Sequence, residues 1–141
     1  AAGLAQGLCM AASLYLRKGD IQEARSVGEQ ALELTASAWD MPGEARAHIV
    51  LAQVHAKLFE REDKTGDAHL QSPALASMRA SAQAAASIAS QVRDRQLQAV
   101  ASHWHAQALM MSSRPPPEEA TRMARKAQSL FREVGDISGE A

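Results

Sequence analysis

Three aspartates, each followed five residues later by an alanine, mark a repeat in this chain. They are Asp40, Asp94 and Asp136, which lie 54 and 42 residues apart. Residues that are mostly small recur 16, 12 and 9 positions before each aspartate. These are Ala24, Gly28 and Ala31, then Met78, Ala82 and Ala85, then Ala120, Ala124 and Ala127. Recurrence in register indicates a chain of similar units that stack on one another.

The basic repeat is 40 residues long, because the residues that follow Ala5 and Ala45 correspond. On that basis the second unit is 14 residues longer and the third is 2 longer. The excess falls on a polar stretch at 60–73 and a proline-rich stretch at 112–117, where a loop absorbs added length at small entropic cost. We predict one domain with units at about 1–40, 41–94 and 95–136 and a turn at Gly135 and Asp136. We expect 137–141 to begin a further unit, as in a piece of a longer array.

The composition favours helices and argues against several partners. Alanine is abundant, aromatic residues make up only 4% of the chain, and no stretch alternates apolar and polar residues as a strand does. The formal net charge is −1 with both signs interspersed, so we expect neither nucleic acid nor a membrane surface as a partner. No apolar run approaches the about 20 residues of a membrane span. A single cysteine excludes an intramolecular disulfide, and we expect a cytoplasmic, intracellular protein.

Helix start and stop signals predict six helices. We expect them at about 2–17, 20–38, from 42 to beyond 58, 74–91, 95–111 and from 118 onward. Asp20 with Glu23 is typical of a capping box, and Pro42 suits a first helical turn. Ser72 with Pro73 suggests the start of the fourth helix, preceded by a loop that we expect to lie outside the core. Two carboxylates at the start of the sixth, Glu118 and Glu119, favour the positive end of its dipole.

The repeated residues resemble the tetratricopeptide repeat (TPR) family, whose pattern is W-x₂-L-G-x₂-Y, then A-x₃-F and a further Ala. The first unit matches at Leu8, Ala11, Ala12 and Tyr15, and then at Ala24 and Ala31. The corresponding residues later in the chain are His48, Leu51, Ala52 and His55, then Ser102, His105, Ala106 and Leu109. The chain departs from the pattern where the family has large Trp and Phe side chains, and at Met78. The repeat length and the stretch "GEARAHIVLAQVH" look most like the longer TPRs of spindle-orientation adaptors and kinesin light chains.

This resemblance implies an all-α, TPR-like α-solenoid of three antiparallel helix pairs that binds a protein or peptide. The first helix of each pair would line a concave side. Twelve residues there, hereafter the groove residues, face away from the partner helix: Gln6, Cys9, Ser13 and Arg17; Arg46, Ile49, Gln53 and Lys57; and Val100, His103, Gln107 and Met111. Three of the groove residues are basic, and those of the last unit are more apolar. This predicts a peptide ligand with acidic residues at one end and an apolar anchor at the other. The alternative is that these residues are solvated in a structural spacer or in a self-associating repeat segment.

Other activities are less consistent with the residues. Chaperone-binding TPRs hold a terminal carboxylate with Lys and Asn, and this chain contains no Asn. Neither histidine pair is placed to hold a metal together. His103 and His105 point about 200° apart on a helix, and His48 and His55 lie two turns apart. Cys9 has no identifiable base with an orienting partner. We therefore predict no catalytic residue, metal or cofactor, and an enzyme that uses His or Cys is the least favoured alternative.

The remaining predictions concern packing. Five alanines are expected at close helix contacts: Ala12, Ala31, Ala52, Ala106 and Ala127. We expect Trp39 to pack between neighbouring helices, and Trp104 to lie between the core and the convex face. Leu130 and Phe131 are predicted to support self-association through the open C-terminal end.

Overall fold

A computed structural model of the protein describes residues 2–64, 73–112 and 118–139, which form six α-helices and contain no strand. The helices are α1 (Ala2–Lys18), α2 (Ile21–Ser37), α3 (Met41–Lys64), α4 (Pro73–Val92), α5 (Arg95–Ser112) and α6 (Glu118–Gly139). The all-α prediction is confirmed for these residues, and the helices begin within about one residue of their predicted positions. Helix α3 continues to Lys64, as expected of its polar end, while the predicted loop at 65–72 lies outside the described residues.

The helices form two layers. Each helix packs against the next in the chain, and α3 also contacts α1 and α5. Among the described residues, α2 does not contact α4, and α4 does not contact α6. The Arg61 side chain near the end of α3 donates to the carbonyl oxygen of Gly19, just after α1, over 2.9 Å. The odd-numbered helices therefore lie side by side in one layer and run in the same direction, with the even-numbered helices behind them.

Small residues form the contacts between these helices. Ala12, Ala31 and Ala52 have no exposed surface, and Ala106 and Ala127 are 2% exposed, as predicted. At the crossing of α2 and α3, a Cβ atom added to Gly28 would lie 3.0 Å from Cδ2 of Leu51. Short side chains let the helix backbones approach closely, which is why alanine dominates this core.

Three helix joints share one construction: a residue in the left-handed region followed by an aspartate. The left-handed residues are Gly19 (φ 86°), Trp39 (φ 57°) and Arg93 (φ 57°). The Gly43 amide donates to Oδ1 of Asp40, and the Leu97 amide donates to Oδ1 of Asp94, both over 3.1 Å. Two of the three repeated aspartates thus cap the helices that open the second and third units.

Two local predictions were wrong. Asp20 precedes α2 as expected, but its side chain makes no capping hydrogen bond, so the predicted capping box is not formed. The turn at Gly135 and Asp136 is also absent, because α6 continues to Gly139. Gly135 lacks the left-handed backbone that ends α2 and α4 before their aspartates. Residues 137–139 consequently belong to α6, and residues 140 and 141 lie outside the described part.

Trp39 does not pack between helices as predicted, since it is 89% exposed. Its left-handed backbone costs an L-residue about 1–2 kcal/mol, whereas glycine adopts it freely but loses more entropy on folding. We expect Trp39→Gly to raise the free energy of unfolding by about 0.5–1 kcal/mol, measured by urea denaturation. Trp39→Ala keeps the strain and should change it little. A glycine variant no more stable than the alanine variant would contradict this account.

Candidate binding groove

The structure brings all twelve groove residues to two adjoining depressions on the layer of odd-numbered helices. The first has a volume of about 360 Å³ and lies along the N-terminal halves of α1, α3 and α5. The second, of about 700 Å³, lies along their C-terminal halves. Ser13 and Gln53 border both depressions. Together these form one continuous surface, called the groove below, to which three helices contribute.

The groove is wider than the sequence predicted. Residues missed in the first depression are Met10, Val50, Asp94, Gln96 and Leu97, and in the second Leu16, Ala56, Glu60 and Trp104. Helical spacing selects a single stripe on each helix, whereas the depressions also include residues beside that stripe. Trp104 in particular lines the groove and packs against the core, so its predicted position between the core and the convex face was wrong. Its ring meets that of His103 edge to face, with centroids 5.4 Å apart.

The charges of the groove are partly balanced within the groove itself. Nη2 of Arg46 lies 4.0 Å from Oδ2 of Asp94, and Nζ of Lys57 lies 3.3 Å from Oε2 of Glu60. Arg17 forms no ion pair with any described residue. The lining therefore carries three basic and two acidic side chains. Both pairs are exposed and contribute little to stability, but they weaken the attraction for acidic partners that the basic residues alone would give.

Ile49 and Cys9 differ from the solvated groove residues expected. Ile49 is only 6% exposed and belongs to a core cluster with Leu97 and Ala101, so it forms the floor of the groove. Burial raises the pKa of the Cys9 thiol, and its other neighbours have opposing effects, with Arg46 lowering the pKa and Asp40 raising it. The thiol is therefore protonated at neutral pH, which makes it a weak nucleophile.

Three of the described histidines, His48, His55 and His105, are partly buried. Burial lowers the pKa of His48, His55 and His105, so their imidazoles are neutral at pH 7. Nδ1 of His48 and Nδ1 of His55 are buried without a hydrogen-bond partner. Where the structure describes the chain, no three His, Cys, Asp or Glu side chains lie close enough to hold a metal ion. His69 lies outside the described residues.

Comparison with known proteins adds no family to this picture. No family model matches the sequence, and no curated protein or solved structure gives a significant match. The resemblance to TPRs thus rests on the residues themselves. None of the helices in the described ranges combines the length and apolar character needed to cross a bilayer.

Proposed function

We propose that this chain is a TPR-like α-solenoid segment that binds an extended peptide or a helix of another protein in its groove, without catalysis. The observation that carries the proposal is the continuity of the two depressions through Ser13 and Gln53. A surface shared by three helices contacts a partner over a greater length than a single pocket does. Shallow, open clefts of this kind suit segments of protein chain.

The groove offers both apolar and basic contacts to such a segment. Trp104 and Met111 line the second depression, and aromatic residues and methionine are common at protein interfaces. Met111 is also adaptable in shape, which suits an apolar anchor. Arg46 and Arg17 lie at opposite ends of the groove along α3 and α1, and each can pair with a carboxylate of the ligand. Asp94 and Glu60 compete with the ligand for Arg46 and Lys57. A ligand with one or two acidic residues therefore fits better than a strongly acidic one.

Non-catalytic binding also agrees with the chemistry of the candidate reactive groups. The Cys9 thiol has a raised pKa and Ser13 Oγ donates to the carbonyl oxygen of Cys9 over 3.1 Å, so neither is activated as a nucleophile. A carboxylate clamp like that of chaperone-binding TPRs is disfavoured, because the chain contains no Asn.

The test is selection of ligands from a displayed peptide library on the immobilised 141-residue chain. We expect enriched peptides to share an apolar residue and one or two acidic residues. The dissociation constant of a selected peptide should rise about tenfold or more in Arg46→Glu or Lys57→Glu, which is about 1.4 kcal/mol or more of binding free energy. The matched control is Arg125→Glu, an exposed residue on α6 away from the groove, and it should leave the constant unchanged.

Two results would contradict binding in the groove. One is a library selection that enriches no peptide. The other is a selected peptide whose dissociation constant changes equally in Arg46→Glu and Arg125→Glu. The first result would favour the spacer as the function, and the second would place peptide binding outside the groove.

One observation favours self-association as a second candidate. Leu4, Met10 and Leu14 on α1 are 63%, 62% and 54% exposed, and Phe131 on α6 is 42% exposed. Leu130 is buried, so its predicted part in a contact between chains was wrong. Light scattering after size-exclusion chromatography would distinguish this candidate. A dimer that Leu14→Lys converts to a monomer would support it, and a wild-type monomer at high concentration would contradict it.

A further inference from the structure

A separate cleft lies behind the groove, where α2 and α4 are not in contact. It has a volume of about 470 Å³ and is lined by α2, α3 and α4. Gln22 and Arg25 come from α2, His55, Leu58 and Arg61 from α3, and Pro73, Ala74 and Ser77 from α4. The cleft exists because the α2 and α4 helices both pack on α3 but stay apart from each other. None of its lining residues belongs to the groove.

Among the described residues, the lining is rich in hydrogen-bond donors and contains no carboxylate. Arg25 and Arg61 both line the cleft. Nε of Arg25 donates to Oε1 of Glu29 over 3.1 Å, and Nη2 of Arg61 donates to the carbonyl oxygen of Gly19 over 2.9 Å. Within the described residues these side chains make no further hydrogen bonds, so each guanidinium keeps N–H groups for a ligand. Glu29 outside the cleft offsets one of the two charges.

His55 adds a further hydrogen-bond donor to the lining. Its Nδ1 is buried without a partner, and a buried N–H with no acceptor is costly. The neutral ring therefore favours the tautomer with its proton on Nε2, and His55 lines the cleft. Burial lowers the pKa of His55, and the charge of Arg25 lowers it further while Glu29 raises it. The ring is consequently neutral at pH 7 and acts as an N–H donor rather than as a cation.

From this arrangement we infer that the cleft between α2 and α4 binds a phosphate monoester. Its phosphoryl oxygens would accept hydrogen bonds from Arg25, Arg61 and Nε2 of His55. A doubly charged phosphoryl group matches two guanidinium groups better than a single carboxylate does. Leu58 and Pro73 form an apolar wall for the carbon portion of the ester. The proposal is independent of peptide binding in the groove.

The test is titration of the full chain, at constant ionic strength, with phenyl phosphate and with benzoate as the carboxylate analogue. Binding is followed by ¹⁵N-resolved nuclear magnetic resonance of His55 and of the backbone amide of Ser77. We expect phenyl phosphate to bind at least tenfold more tightly than benzoate and to shift the Nε2 signal of His55. A short phosphoserine peptide forms the second arm. Tighter binding of the peptide would identify a phosphorylated side chain as the source of the ester, and tighter binding of phenyl phosphate would identify a free metabolite.

Four variants decide whether the binding site is this cleft. Arg25→Gln and Arg61→Gln should each weaken phenyl phosphate binding tenfold or more, and circular dichroism checks that both remain folded. Glu29→Gln removes the competitor for Arg25 and should strengthen binding. Arg79→Gln, an exposed arginine on α4 that does not line the cleft, is the matched control and should have no effect. Phenyl phosphate that binds no better than benzoate, or that is insensitive to both cleft arginines, would overturn the proposal.

Discussion

Replacing Ala31 with leucine is expected to lower the free energy of unfolding by about 1–3 kcal/mol. Ala31 has no exposed surface and lies on α2, three residues after the close approach of Gly28 to Leu51. Gly28 and Ala31 occupy two of the repeated positions that precede Asp40. The three added carbon atoms have no space between α2 and its neighbours, so they force side chains off their preferred rotamers or separate the helices. Urea denaturation of the variant and the wild type would measure the difference.

The matched control is Ala80→Leu on the exposed face of α4, which should change the free energy of unfolding by no more than about 0.5 kcal/mol. Arg46→Glu in the groove should stay within the same limit, because its ion pair with Asp94 is exposed. If Ala31→Leu were neutral while Arg46→Glu unfolded the protein, the repeat register and the groove derived from it would both be wrong.

The second large effect is expected for Gly43→Ala, at the start of α3. A methyl group there would collide with Oδ2 of Asp40 and would lie 2.8 Å from Cγ2 of Thr35. Thr35 cannot move freely, because it is 1% exposed and its hydroxyl donates to the carbonyl oxygen of Ala31 over 2.9 Å. Loss of the Asp40 cap costs about 0.5–2 kcal/mol and overpacking costs about 1–3 kcal/mol. Alanine regains about 1 kcal/mol of helix propensity, which leaves a net loss of about 0.5–4 kcal/mol.

Gly7→Ala provides the control for Gly43→Ala. Gly7 lies within α1, and a Cβ atom there would have no neighbour within 4 Å. The same substitution should therefore raise the free energy of unfolding, by up to about 1 kcal/mol. Opposite signs for the two variants in thermal or urea unfolding would confirm the collision at Gly43. A stabilising effect at both positions would show that Asp40 and Thr35 can rearrange.

Helix starts, buried alanines and the groove stripes could be predicted from the sequence because each depends on local signals. Proline and acidic residues fix where helices such as α3 and α6 begin, and the helical period assigns residues to faces. The pairing of Arg46 with Asp94, by contrast, joins residues 48 positions apart, and it depends on how α3 lies beside α5. The exposure of Trp39 was missed because composition suggests burial for tryptophan, whereas its backbone conformation directs the side chain outward.

Local sequence signals also could not predict the position of the third aspartate, Asp136, or the cleft between α2 and α4. Asp136 has the spacing of Asp40 and Asp94, but spacing alone does not specify whether the residue before it adopts a left-handed backbone. The cleft containing Arg25 and Arg61 exists only because two helices of one layer remain apart. No pattern within a single helix encodes that separation.

The gap between the even-numbered helices also has a mechanical consequence. When two packed layers of helices bend, the helices of one layer are pushed together and those of the other are pulled apart. Here the layer of α2, α4 and α6 has no lateral contacts to break or compress among its described residues. The resistance to bending therefore comes from the packing of each helix on the next and from the contacts of α3 with α1 and α5. A change of angle at those contacts would widen or narrow the spacing of α2, α4 and α6 without breaking a contact between these three helices.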